Sequence, residues 1–128
     1  MLGCWQANEV DENISRDVSD RLKISVVIAS IGRPQNIAAL LASLAAQSQL
    51  PAQVILSMET TADAPPDEDY PFTVEKMFGH RGMTAQRNRG LDRLNPDIDI
   101  VVFYDDDFVP SRFALAGMAQ FFKDHAHV

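Results

Sequence analysis

The chain has 128 residues, enough for one domain or part of one, and its 46% hydrophobic and 23% charged residues are typical of a globular protein. No apolar run approaches the roughly 18 residues of a membrane span, Met1 to Asp20 lacks the pattern of a signal peptide, and a single cysteine excludes an internal disulfide. A net charge of −7 argues against nucleic-acid binding, and the predicted location is the cytoplasm, with peripheral attachment to the inner face of the membrane left open.

The chain divides into an extension and a single folded part. Residues 1–22 show no sustained period and are predicted to be loosely ordered, whereas residues 23–128 form the domain. The domain begins with a strand over Lys23 to Ala29, an apolar run rich in β-branched residues. A turn follows in which Gly32 permits unusual backbone angles and Pro34 suits a first helical position.

The next two elements complete a βαβ unit. A helix is indicated by apolar residues at positions i, i+3, i+4 and i+7, namely Ile37, Leu40, Leu41 and Leu44. Gln53 to Ser57 then forms a second strand. Such units build parallel sheets with right-handed crossovers, so the sequence predicts an α/β fold.

The remaining elements alternate in the same way. Thr60 to Tyr70 is a proline-containing acidic loop, and Phe72 to Phe78 is a short third strand. A helix over Ala85 to Leu94 is closed by Asn95-Pro96, because proline cannot continue it. After the strand that contains residues 100–104, Ser111 is predicted to cap a last helix whose apolar face is formed by Leu115, Met118 and Phe122.

Three consecutive carboxylates, Asp105, Asp106 and Asp107, follow the apolar strand that starts at Ile98. Their mutual repulsion favours a compensating charge, and hard cations such as Mg²⁺ or Mn²⁺ prefer carboxylate oxygens. Ligands of open α/β sheets bind in the crevice outside the carboxyl ends of the strands, where these residues are expected. A solvated acidic loop after a strand is the alternative.

Five basic residues fall within eighteen positions of this acidic chain: Lys76, Arg81, Arg87, Arg89 and Arg93. A cationic segment of this kind could recognise a phosphorylated small molecule. It could equally be a helix face that balances nearby acids.

Four segments, taken together and in this order, resemble family 2 glycosyltransferases with the GT-A fold. They are the strand and turn Ile24 to Arg33 followed by Pro34, the run Gln49 to Leu56, the segment Gly82 to Gly90, and Phe103 to Asp107, which resembles a D-x-D metal motif. The resemblance implies a three-layer α/β/α Rossmann-like half-domain, the N-terminal nucleotide-binding part of the enzyme, with a mostly parallel sheet of about four strands.

Family members transfer a sugar from a nucleotide-diphosphate donor to an acceptor hydroxyl with inversion, and Mn²⁺ or Mg²⁺ bridges the two phosphates. By position, the resemblance implies that Ser30 contacts the nucleobase and that Arg87 contacts the base or the phosphates. Asp105 and Asp106 are implied to face the ribose and the metal-bound groups. Asp107 is implied to be the direct metal ligand, with Asp105 beside it. As alternatives, Ser30 is a plain turn hydroxyl and Arg87 pairs with Asp92 or Asp106.

The sequence departs from the family pattern at two places. Met58 and Glu59 stand where the family has an aspartate pair that holds the nucleobase, and Glu59 is expected to substitute with a longer reach. Ile31 replaces an aromatic residue of the first turn. A complete domain of the family is also roughly twice this length, so the chain is interpreted as truncated, and the acceptor and the general base are expected beyond Val128.

Two other classes of protein are alternatives to a glycosyltransferase. A non-catalytic fragment would bind nucleotide or metal, or self-associate through an apolar surface that includes Phe121 and Phe122. A receiver-like phosphoacceptor domain is also an α/β fold with carboxylates around Mg²⁺. Receivers have acids after their first strand, where this chain has Ser30, so the sequence disfavours that class.

Overall fold

Four strands form one parallel sheet in the computed structural model, which describes residues 22–125. The elements in chain order are β1 (Ile24–Ala29), α1 (Pro34–Ala45), β2 (Gln53–Met58), a 3₁₀ turn (Thr61–Asp63), β3 (Thr73–Phe78), α2 (Met83–Leu91), β4 (Ile100–Asp105) and α3 (Ala114–Asp124). The strand order is β3-β2-β1-β4, and every pairing is parallel. The predicted α/β class with a parallel sheet of about four strands is confirmed.

One face of the sheet carries the main hydrophobic core, beneath α1 and α3. The side chains alternate along each strand, so Val26 and Ile28 of β1 lie on the same face as Val54 and Leu56 of β2, and all are fully buried. The helices complete this core with Ile37, Leu40, Leu41 and Leu44 of α1 and Leu115 and Ala119 of α3. The apolar stripe predicted for the first helix is therefore its buried face, and Pro34 stands at the start of that helix as expected.

Within residues 22–125 the opposite face is covered by α2, which lies very close to β1. A Cβ atom on Gly90 would come within 2.6 Å of Val27 Cγ1. Since real Cβ atoms do not approach other carbons so closely, the helix requires glycine at this position. Gln86 of the same helix donates hydrogen bonds to the Ser30 and Ser57 carbonyls, so α2 also lies against the carboxyl ends of the central strands.

The last helix differs from its prediction. It begins at Ala114 with Phe113 at the N-cap position, so the expected capping by Ser111 is wrong. Ala119, not Phe122, is buried beside Leu115, and Phe122 remains 49% exposed. The chain makes a turn between Ser111 and Ala114, where the Ala114 amide donates to the Ser111 carbonyl at 3.1 Å, so the helix starts after this turn and not directly after Ser111.

Residues 1–22 lie outside the described part of the chain except for Leu22, which packs against the core. The loose order predicted for residues 1–22 thus concerns residues that lie, apart from Leu22, outside the described range. No helix within residues 22–125 is both long and apolar enough to cross a membrane. The cytoplasmic location stays a prediction.

Candidate functional site

A cleft of about 440 Å³ opens at the carboxyl ends of β1 and β4. The chain passes from β1 outward to β2 and β3 and then returns to the other side of β1, so the strand order reverses between β1 and β4. Open α/β sheets bind ligands at such a reversal. The cleft is lined by Ala29, Ser30, Ile31, Arg33, Arg81, Gly82, Met83, Gln86, Asp105, Asp106 and Asp107.

Asp106 is tied to the turn that follows β1. It accepts a hydrogen bond of 2.6 Å from Ser30 Oγ and lies 3.4 Å from Arg33 Nη1, and its side chain is only 12% exposed. Ser30 and Asp106 are 76 residues apart in the sequence, and the parallel pairing of β1 with β4 brings them together. This carboxylate therefore has a donor and a cation as partners within the protein.

Asp105 is compensated from outside the cleft. Arg87 Nη2 lies 3.5 Å from Asp105 Oδ1, and the Arg87 guanidinium carbon lies 5.6 Å from the centre of the Phe103 ring. Arg87 is not among the lining residues and pairs with neither Asp92 nor Asp106, the two partners considered from the sequence. Its position next to Asp105 makes it a neighbour of the cleft.

Glu59 also lies beside the cleft and reaches it through an arginine. Glu59 Oε1 is 3.8 Å from Arg81 Nε, and the Arg81 side chain, which is 67% exposed, lines the cleft. Arg33 and Arg81 are thus the two cations that line the cleft. Both side chains are long and more than half exposed, so they can reach an anionic ligand. From the sequence, Arg81 was identified only as a member of the basic segment that could recognise a phosphorylated small molecule, and Arg33 only as part of the turn that resembles the family.

Asp63 is a buried carboxylate that was not predicted from the sequence as a site residue. It accepts hydrogen bonds from the amides of Gly32 at 2.7 Å, Thr60 at 2.9 Å and Glu59 at 3.2 Å. The Thr60 amide lowers the pKa of Asp63 below its ordinary value, the Gly32 and Glu59 amides and the charge of Arg81 add to this, and burial opposes it. Asp63 therefore joins the turn after β1 to the turn after β2. The threonine three residues earlier, a spacing typical of capped helical turns, was the available signal.

Gln86 is a further residue of the cleft that the sequence did not indicate. It lies in α2, is 2% exposed and lines the cleft. A glutamine within a helix ordinarily indicates a solvated position, and its burial depends on contacts with residues 29 and 56 positions away. No local pattern could have found it.

The chemistry of the cleft suits a hard divalent cation, although a ready-made metal cluster is absent from the described range 22–125. All three aspartates offer carboxylate oxygens, the donors that Mg²⁺ and Mn²⁺ prefer. Asp106 is already engaged by Ser30 and Arg33, and Asp105 by Arg87. Within residues 22–125 Asp107 forms no ion pair or side-chain hydrogen bond, which leaves its carboxylate available for a ligand.

These features define a class: a Rossmann-like α/β protein with an acidic ligand cleft at the reversal of its strand order. Residues 25–128 match the family model for glycosyl transferase family 2. The chain belongs to that family, and the resemblance read from the sequence is confirmed. The glycosyltransferase class is thereby confirmed at the level of the family.

Solved structures show the same fold. The crystal structure of S. aureus TarS aligns with a TM-score of 0.63 at 22% identity, over 82% of this chain and 20% of that one. The structure of TarS 1–349 aligns with a TM-score of 0.64, and that of TarS 1–349 in complex with UDP with 0.62, each at 22% identity over 82% of this chain and 33% of that one. This chain thus spans a third or less of those proteins. Comparison with curated protein sequences finds no match.

Proposed function

We propose that this chain binds a nucleotide-diphosphate sugar in the cleft between β1 and β4 and takes part in metal-dependent, inverting transfer of the sugar. The observation that carries the proposal is the position of three aspartates and Ser30 at one reversal of strand order, in a chain of glycosyl transferase family 2. The UDP complex of TarS 1–349, a protein with the same fold, supports a uridine diphosphate donor.

The charges around the cleft support a pyrophosphate as ligand. Arg33 and Arg81 line it, each held only loosely by a carboxylate at 3.4 and 3.8 Å, so both can turn towards phosphate oxygens. Gly82 and Met83, at the N-terminal end of the nine-residue helix α2, also face the cleft, and helix N-termini favour anions. These cationic groups would stabilise the charge that develops on the leaving diphosphate.

The aspartates divide into two kinds in this proposal. Asp107, with Asp105 beside it, would hold a Mn²⁺ or Mg²⁺ ion, and the ion would neutralise charge on the donor's phosphates. Asp106 orients the Ser30 hydroxyl through its 2.6 Å hydrogen bond. Ser30 and Glu59 contact the nucleoside, and Arg87 fixes the carboxylate of Asp105 from behind. In this proposal, other parts of the polypeptide supply the general base and the acceptor site.

Isothermal titration of the chain with UDP, with and without Mn²⁺, tests the proposal. We expect Mn²⁺ to raise the affinity for UDP and Asp107→Asn to abolish that increment, because the available carboxylate is lost. Asp92→Asn is the matched control, since Asp92 is an exposed carboxylate at the end of α2 that does not line the cleft. Binding of UDP that is equally strong without metal, or an unchanged increment in Asp107→Asn, would contradict the proposal.

A second candidate is a non-catalytic, self-associating role. It is favoured by exposed aromatic side chains on α3, where Phe121 is 56% and Phe122 49% exposed. Large exposed apolar surfaces commonly mark interaction sites. Light scattering over a range of concentrations tests it: association that Phe121→Ser weakens supports this role, and a monomer that binds UDP counts against it.

A further inference from the structure

The side-chain amide of Gln86 joins three separate segments of the backbone. Its Nε2 donates to the Ser57 carbonyl at 2.8 Å and to the Ser30 carbonyl at 3.3 Å. Its Oε1 accepts from the Gly82 amide at 3.1 Å. Both hydrogens of the amide nitrogen and one lone pair of its oxygen are therefore used, and the group is 2% exposed.

Two of the three segments that Gln86 joins line the cleft, through Ser30 and Gly82, and the third, at Ser57, is bonded to Ser30. Ser30 follows β1, and Ser57 is the penultimate residue of β2. Gly82 precedes α2 with a φ of +135°, a backbone conformation that favours glycine. Ser30 extends the connection, since its amide donates to the Ser57 carbonyl at 3.2 Å and its hydroxyl to Asp106. A hydrogen-bonded path thus runs from the start of α2 through Gln86 and Ser30 to a carboxylate of the cleft.

We infer that Gln86 is a positioning residue for the nucleotide-sugar donor, which holds the turn before α2 and the ends of β1 and β2 in the geometry that the donor requires. This inference rests on the proposed function of the cleft. Turns without such a tie sample more conformations, and a ligand must then order them at a cost in affinity. A tie made before binding removes that cost.

The chain contains a second glutamine with the same construction at the other end of the sheet. Gln53 is fully buried, its Nε2 donates to the Arg93 carbonyl at 2.9 Å, and its Oε1 accepts from the Asn95 amide at 3.2 Å. Gln53 begins β2 and is not part of the cleft. It therefore separates the contribution of a buried glutamine to stability from the contribution to the cleft.

The experiment compares Gln86→Met with Gln53→Met in the full chain. Methionine keeps the length and approximate volume of glutamine and removes its polar atoms, so each variant leaves buried backbone groups without partners. We expect both variants to lower the melting temperature. Only Gln86→Met should weaken the binding of UDP in the presence of Mn²⁺, by about tenfold. Equal losses of affinity in the two variants, or unchanged affinity in Gln86→Met, would overturn the inference.

Hydrogen exchange supplies a readout that needs no ligand. In Gln86→Met the amides of Ser30, Gly32 and Gly82 should exchange faster than in the unaltered chain, whereas in Gln53→Met the change should be confined to residues 93–95. If the unaltered chain binds no UDP, the proposed function fails, and hydrogen exchange alone decides whether Gln86 ties the three segments. Protection that is unchanged at all three amides would overturn that tie.

Gln86→Glu is the second variant if Gln86→Met does not fold. It keeps an acceptor for the Gly82 amide, loses the two hydrogen bonds that Nε2 donates, and sets a carboxylate oxygen against the Ser30 and Ser57 carbonyls, which repels both turns. It should reproduce the loss of UDP affinity in a folded protein. A folded Gln86→Glu variant with unaltered affinity would overturn the inference as clearly as the first variant.

Discussion

Apolar side chains are buried in the central strands β1 and β2, whereas several remain exposed in the C-terminal segment from β4 to α3. Every residue of β1 and β2 is buried, because each strand has a neighbour on both sides and helices over its faces. In β4, which pairs within the described chain only with β1, Phe103 is 40% exposed. Of the ten exposed large hydrophobic residues in the described part of the chain, six lie between the start of β4 and the end of α3: Phe103, Phe108, Val109, Phe113, Phe121 and Phe122.

This contrast assigns different tasks to the two regions. Stability resides in β1, β2 and the helices over them, where burial is complete, so changes there should act on the free energy of unfolding. Several apolar side chains in the segment from β4 to α3 are not buried by residues 22–125. Substitutions there should therefore mainly change contacts with other molecules. The cleft lies at the boundary and takes residues from both regions.

The largest expected effect comes from shortening a central-strand side chain. Ile28→Ala should lower the free energy of unfolding by about 2–5 kcal/mol, because Ile28 is fully buried and its loss leaves a cavity. Phe122→Ala should change it by no more than about 0.5 kcal/mol, because half of that side chain is already exposed. Urea denaturation at one fixed, low protein concentration measures both. A Phe122→Ala effect as large as that of Ile28→Ala would mean that α3 is covered in solution.

A pair of helical glycines gives the next comparison, with effects of opposite sign. Gly90→Ala should destabilise the protein by about 1–3 kcal/mol, because the new Cβ would meet Val27 Cγ1 at 2.6 Å. Gly117→Ala in α3 should stabilise it by up to about 1 kcal/mol, because nothing lies within 4 Å of its Cβ position and alanine favours the helix.

A double-mutant cycle sharpens this second test. Val27→Ala removes the atom that Gly90→Ala would strike, so the double variant should be more stable than the sum of the two single effects implies. Strictly additive losses would show that α2 adjusts its position over β1 and that the close approach is not required.

The sequence predicted all four strands and all three helices because their signals are local. β-branched runs and the stripe from Ile37 to Leu44 are properties of neighbouring residues, and burial in β1, β2 and α1 follows them directly. The buried face of the last helix was predicted wrongly because this helix has more apolar residues than it buries. Spacing alone could not decide whether Ala119 or Phe122 lies beside Leu115.

The site was predictable to the extent that it depends on strand ends. Asp105 to Asp107 were expected at the carboxyl edge of the sheet, and the family resemblance implied that Ser30 belongs to the same site; the structure lines one cleft with all four. Gln86 was not predictable, because the carbonyls that it bonds lie 29 and 56 residues away and nothing nearby indicates that it is buried. Asp63 had a local signal in Thr60, but its bond to the Gly32 amide, 31 residues away, had none. Polar ties between distant turns are set by the packing of the whole domain.

The smallest expected effect compares two carboxylates whose pKa values are both lowered, Asp63 at the cleft and Asp97 at the opposite end of the sheet. The amide of Thr60 is the main cause for Asp63, and a hydrogen bond from Lys23 is the main cause for Asp97. A carboxyl group with a lowered pKa in the folded state stabilises the protein above its unfolded pKa of about 4 and loses that contribution as the pH falls through the folded value.

Asp63→Asn should therefore cost about 1 kcal/mol at pH 7, a deficit that is constant down to about pH 5 and shrinks below about pH 4 as the unaltered carboxylate is protonated. Asp97→Asn should show the same sign with a much smaller effect, because the Lys23–Asp97 pair is exposed. Salt separates them: in about 1 M NaCl, where the Debye length is about 3 Å, the Asp97→Asn deficit should disappear and the Asp63→Asn deficit should persist. Urea denaturation across pH at two salt concentrations measures this. An Asp63→Asn deficit that also vanished with salt would mean that Asp63 acts through long-range charge, whereas its three amide hydrogen bonds require that the deficit survive.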